Sequence, residues 1–207
     1  MSLANRIGHL SSIGLFVVGI AYVLVVAFGI FKAGLNDPIV DPILAVMEAL
    51  TLLSAPLIVA VMASIYETAS RDRKVLGVMA LVFAGVMTAL TSAVHFVALT
   101  AGRQTDFAVL QWPSTLYAVE LLAWDIFLGL SLLCAAFVFA GSGIRAVARW
   151  ALVVAGALSL LGAIGPVVGN MSLQRIGILG YGVGLPIAAL VLSRFFAGTK
   201  TDEGNRN

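Results

Sequence analysis

Histidine, cysteine and charge are all scarce in this chain. Two histidines, His9 and His95, and one cysteine, Cys134, stand among 207 residues, of which 11% are charged. Each shortage excludes a class of chemistry. A lone cysteine closes no internal disulfide, and the apolar run around it, Leu132-Leu133-Cys134-Ala135-Ala136, blunts thiol reactivity. No H-x-x-x-H or E-x-x-H pair occurs, so neither a metal site nor a haem between two histidines is expected. No lysine lies well inside an apolar stretch, which excludes a retinal-type Schiff base. No histidine follows His95, and Ser131 sits in Gly129-Leu130-Ser131-Leu132 rather than in a nucleophile turn, which excludes an intramembrane serine protease. Phosphate-binding glycine motifs and basic runs are missing too, so nucleotides and nucleic acid are not expected partners.

Apolar residues take the place of everything absent. They make up 61% of the chain, with a mean hydropathy of +1.07, whereas a soluble domain carries about 25% charged residues. Six apolar stretches occur at roughly 10–32, 43–66, 75–100, 115–140, 150–169 and 176–197, each close to the ~20 residues needed to cross a bilayer. The pattern predicts an all-α, polytopic integral membrane protein, a six-transmembrane-helix bundle forming one domain over 1–198. A polar tail follows at 199–207, expected to fray. The first stretch is longer than the ~7–15 residues of a signal-peptide core and no small-residue cleavage site follows it, so it is expected to remain as the first span. The longest connection, 101–114, contains Phe107-Ala108-Val109-Leu110-Gln111-Trp112-Pro113 and is expected to form an interfacial helical turn.

Lysine and arginine fall unevenly between the connections. Nine of the twelve (Arg6; Arg71, Arg73, Lys74; Arg145, Arg149; Arg194, Lys200, Arg206) lie on one side of a six-span chain, and Lys32, Arg103 and Arg175 on the other. This bias predicts a cell-membrane protein with both termini cytoplasmic. Pro56 and Pro186 fall mid-span and are expected to kink their helices. Gly180 and Gly184 form a G-x-x-x-G pair that admits another helix at close range, whether from the same chain or from a second copy.

Only Glu48, His95, Glu120 and Asp125 are ionisable and well inside the spans. An ionisable group in hydrocarbon is a candidate functional residue by default. The predicted topology puts all four in the outer half. Thr88, Thr91 and His95 form a polar stripe at helical spacing, with Ser92 alongside; Tyr117 and Trp124 flank Glu120 at i−3 and i+4. Glu120 and Asp125 are five residues apart, about 140° around an α-helix, which argues against a two-carboxylate catalytic dyad. Arg103 and Arg175 lie at the same end as candidate carboxylate partners. The expected ligand- or proton-binding set is Glu48, His95, Glu120, Asp125, Thr91, Tyr117, Trp124 and Arg175, with Glu120 and Asp125 most sensitive. No catalytic residue, metal or cofactor is assigned.

The leading expectation is an outward-facing polar cavity, among the second, third, fourth and sixth spans, that binds or translocates a small solute, with proton coupling through its carboxylates. A non-catalytic structural or accessory subunit, its polar layer serving as packing glue, is the alternative. An enzyme acting on a lipid-like substrate is the second. Expected partners are the lipid bilayer, a small molecule, and a second copy of the chain through the Gly180/Gly184 face.

Overall fold

A computed structural model describes residues 1–34, 39–104 and 112–198. Among the described residues there are no strands, and six helices are long and apolar enough to cross a membrane. We number these α1 (Leu3–Ala33), α2 (Ile43–Thr68), α3 (Lys74–Leu99), α4 (Thr115–Ala136), α5 (Ile144–Val167) and α6 (Met171–Gly198). The tail and the proposed interfacial turn at 107–111 lie outside the described residues.

Each helix packs on its neighbour in sequence, and α6 closes the ring against α1. Small residues set the closest approaches. A Cβ on Gly8 would meet the Phe196 ring at 2.8 Å, and one on Gly19 would stand 2.6 Å from Pro186. His9 Nδ1 lies 2.9 Å from the Ser193 carbonyl oxygen, adding a polar tie between α1 and α6. The bundle's outside is apolar, with Val17, Leu24, Phe31, Leu53, Val82, Phe96 and Val154 exposed, as lipid contact requires.

The two ends of the ring differ. At the end bearing the N-terminus and most of the arginines the centre is dry and filled by Ile58, Met62, Ile65, Met87, Leu132, Phe139 and Phe196, all 1% exposed or less. Two basic side chains there close helix ends: Arg73 Nη1 donates to the Phe137 carbonyl at 2.7 Å, and Lys74 Nζ to the Tyr66 carbonyl at 3.0 Å. The opposite end opens into a cavity.

Several helix edges depart from those the hydropathy pattern predicts. α1 starts at Leu3, where the Ser2 hydroxyl caps it by accepting from the Asn5 amide at 3.2 Å. α5 starts at Ile144 rather than near 150, so its first turns contain Arg145 and Arg149. Their guanidiniums lie over Phe195 and Trp150, at 5.3 and 5.9 Å, while their stems run along the apolar surface. α6 starts at Met171, capped by Asn170, which accepts from the Ser172 amide at 3.0 Å. α4 ends at Ala136 rather than near 140, ahead of a turn with Gly141 and Gly143 at φ 95° and 65°, a conformation that suits glycine.

Two helices widen into π-helical turns, α4 over Leu122–Leu128 and α6 over Leu179–Gly184. In α6 the widened stretch ends immediately before Pro186. There the Leu185 amide reaches back five residues to Gly180, which relieves the clash a proline ring makes with the carbonyl four residues earlier. Gly180 and Gly184 pack inside the chain. A Cβ on Gly180 would stand 2.6 Å from the Ser159 backbone nitrogen, and one on Gly184 3.0 Å from Ala155 Cβ. These glycines bring α6 against α5 within the chain.

Candidate functional site

The cavity occupies about 950 Å³ between α1, α2, α3, α4 and α6, at the large end of the range for small-molecule pockets. Glu48, His95 and Glu120 reach into it from three helices. They lie five, four and five residues from Ile43, Leu99 and Thr115, about 6–8 Å below the helix ends at ~1.5 Å per residue. Helical spacing presents their neighbours. Thr91 is one turn from His95 on the same face of α3, and Trp124 follows Glu120 by four on α4.

These side chains form one connected polar chain. His95 Nδ1 bonds Glu48 Oε2, and Nε2 bonds Glu120 Oε1 at 2.7 Å. The Thr91 hydroxyl donates to the same Glu120 oxygen at 2.9 Å and accepts from Trp124 Nε1 at 2.9 Å. Thr91 is fully buried, and the side chains of Glu48, His95 and Glu120 are only 13%, 11% and 17% exposed. Each imidazole nitrogen faces a carboxylate oxygen and each contact needs one proton. With those two protons in place, one imidazole and two carboxyl groups carry a net charge of −1. The second Glu120 oxygen, Oε2, is buried and makes no hydrogen bond among the described residues. Both imidazole nitrogens are engaged, leaving no lone pair for a metal, and no group of three or more His, Cys, Asp or Glu among the described residues is arranged to hold one.

The rest of the cavity wall is largely apolar and aromatic, with Asp41, Thr51, Ser54, Gln174 and Arg175 interspersed. Tyr117 and Trp112 meet edge-on at 6.3 Å between ring centres, and Trp124 and Tyr181 lie 5.3 Å apart. Tyr22 from α1 and Tyr181 from α6 complete it, and the Gln174 side-chain amide donates to the Tyr181 hydroxyl at 2.9 Å. A search keyed to ionisable residues passes over Tyr22, Tyr181 and Gln174, and α1 with them. A lone tyrosine in the middle of the first apolar stretch is the signal that points to Tyr22. Thr51 and Ser54 also line the cavity, their hydroxyls turned back on the α2 carbonyls of Met47 and Thr51 at 3.0 and 2.7 Å.

The structure brings Glu48, His95, Glu120, Thr91, Tyr117, Trp124 and Arg175 to this end of the ring and separates Asp125 from them. Asp125 is fully buried, does not line the cavity, and packs against Gly162 and Gly177 of α5 and α6. Its oxygens lie beside the Gln174 side chain, itself on the cavity wall, without a hydrogen bond of normal geometry among the described residues. The physical reason is helical phase: Trp124 turns toward Thr91 and Tyr181, and the next residue, roughly a quarter-turn further round the π-helical stretch, meets the seam of α5 with α6. The arginines also differ from expectation. Arg103 pairs with Asp41 at 2.9 Å near the surface, while Arg175 lines the cavity, exposed and with no carboxylate partner among the described residues. Thr88, on the predicted stripe, donates to the Ala55 carbonyl at 3.1 Å and ties α3 to α2.

No family model, curated protein or solved structure matches the chain.

Proposed function

We propose that this protein binds, and carries across the membrane, a small solute held in the cavity by the Glu48–His95–Glu120 group. One observation carries the reading: a buried carboxylate–imidazole–carboxylate chain, with one carboxylate oxygen left unpartnered, lies in the wall of a cavity large enough for a ligand. Glu120 Oε2 is the unused acceptor, sealed among its neighbours and without a hydrogen-bond partner among the described residues. A third proton fits there, and neutralising Glu120 would weaken its hold on a charged solute, which is the simplest form of proton coupling. The lysine and arginine bias supports an orientation with both termini cytoplasmic, which puts the cavity mouth on the outer side. The rival reading makes the same chain a structural tie, since it joins α2, α3 and α4.

A thermal-shift panel separates the two. Purified protein in neutral detergent is heated with small cationic, neutral and anionic amphiphiles, alongside Val18→Trp, which fills the cavity from α1. Solute binding predicts stabilisation of the wild type by at least one charge class and none of Val18→Trp. If no probe distinguishes the two proteins, and Glu120→Gln merely lowers the melting temperature, the structural tie is the correct reading.

A further inference from the structure

The wall chemistry also names a ligand class. Resting on the cavity reading above, we infer that the solute is an organic cation with an apolar body, such as a quaternary or aryl-substituted onium ion, whose charge sits against Glu120 and whose body lies among the aromatic rings.

Three independent features of the wall agree. First, the hydrogen-bonded Glu48–His95–Glu120 group carries a net charge of −1 when its two contacts hold their protons. Among the described residues no arginine or lysine bonds it: Arg103 is taken by Asp41, and Arg175 lies in no ion pair. A buried charge without a counter-charge is costly, and a cationic ligand supplies the missing partner. Second, Glu120 Oε2 is buried and has no hydrogen-bond partner among the described residues, so nothing there offsets the negative charge on the carboxylate. Third, Tyr22, Trp112, Tyr117, Trp124 and Tyr181 all line this cavity, and the negative faces of aromatic rings attract cations that have shed water. The hydroxyl of Tyr181 accepts from Gln174, which fixes its ring beside Trp124 on the cavity wall. Among the described residues Arg175 is the one cation on the wall. It is exposed, so water and salt screen its charge, while the buried group is screened far less.

The test uses two probes of matched shape and opposite charge, radiolabelled tetraphenylphosphonium and tetraphenylborate. Each is titrated onto the full chain in nanodiscs, with empty nanodiscs as the blank. Saturable binding of the phosphonium at least tenfold tighter than the borate is expected, with Glu120→Gln cutting that preference by more than tenfold at an unchanged size-exclusion profile. The comparison of probes on the wild type stands even if the variant fails to fold. Equal binding of both probes, or preference for the borate, overturns the cation assignment while leaving the cavity a binding site. No saturable binding of either probe, together with a blank thermal-shift panel, overturns both.

Discussion

Thr91 is the small residue on which the site's geometry turns. It is fully buried, accepts from Trp124 and donates to Glu120, so one hydroxyl fixes both the indole and the carboxylate. Thr91→Val keeps the shape and deletes both bonds, leaving the Trp124 N–H without an acceptor. A stability loss of about 1–3 kcal/mol is expected, read as a lower melting temperature in detergent, with Thr91→Ser close to wild type. Equal melting of the valine and wild-type proteins would refute this role. Asp125→Asn, by contrast, should leave phosphonium binding within twofold of wild type, because Asp125 lies outside the cavity; a loss matching that of Glu120→Gln would place it in the site after all. The candidate residues were legible because a carboxylate or imidazole stands out in an apolar run. Their grouping was less so. The phase of about 140° expected between Glu120 and Asp125 assumes an α-helix, whereas Leu122–Leu128 is π-helical; the two do face different seams, but nothing in the residue pattern told which of them faces a cavity. Arg103 looked like a partner for the buried layer; Asp41, in a connection near the surface, holds it instead.

At the scale of helices, α5 and α6 are held together by missing side chains. A Cβ on Gly162 would stand 2.5 Å from Gly177 Cα, and one on Gly180 would stand 2.6 Å from the Ser159 nitrogen, both backbone atoms that cannot swing aside. Gly162→Ala and Gly180→Ala should therefore each destabilise the bundle by about 1–3 kcal/mol. Gly85→Ala on α3 is the control. Its new Cβ meets nothing within 4 Å, so it should be neutral or stabilise by about 0.5–1 kcal/mol through lost chain entropy. Identical melting of all three variants would refute glycine-set packing of α5 on α6. The six helices were legible because each supplies a long apolar window. Their ends were not, since Arg145 and Arg149 read as a loop although long cationic side chains fold back along a helix. The π-turn in α6 has a sequence reason in Pro186, whereas the one in α4 has no proline to mark it.

Across the whole molecule the polar groups and the basic residues separate to opposite ends. The end with Arg71, Arg73, Lys74, Arg145 and Arg149 is a dry core, and the end with Lys32, Arg103 and Arg175 holds the cavity. Positive charge resists translocation, so the dry end should face the cytoplasm and the cavity the outside. Two positions test this. Ser142 is exposed in the connection before α5, and Ser172 is exposed at the start of α6 on the cavity wall. In a Cys134→Ala background, a membrane-impermeant maleimide added to intact cells should label Ser172→Cys and spare Ser142→Cys until the cells are opened. The reverse pattern would invert the molecule and turn the cavity toward the cytoplasm. A bundle open at one end and packed at the other also has to change shape to move a solute through. In the packed half Ile58, Met62, Ile65, Phe139 and Phe196 lie at 1% exposure or less, so a transport path would have to form by parting helices rather than by filling an existing channel. One seam with few side chains to disengage is the glycine-lined contact of α5 with α6. A disulfide across it, from Ala155→Cys to Gly184→Cys in the same cysteine-free background, joins positions whose Cβ atoms would lie 3.0 Å apart, so the two helices need to part by only about 0.5–1 Å to reach disulfide geometry. Closing it should leave phosphonium binding intact and stop transport in proteoliposomes, with reductant restoring it. Transport that continues with the bond closed would show that the opening lies elsewhere in the ring.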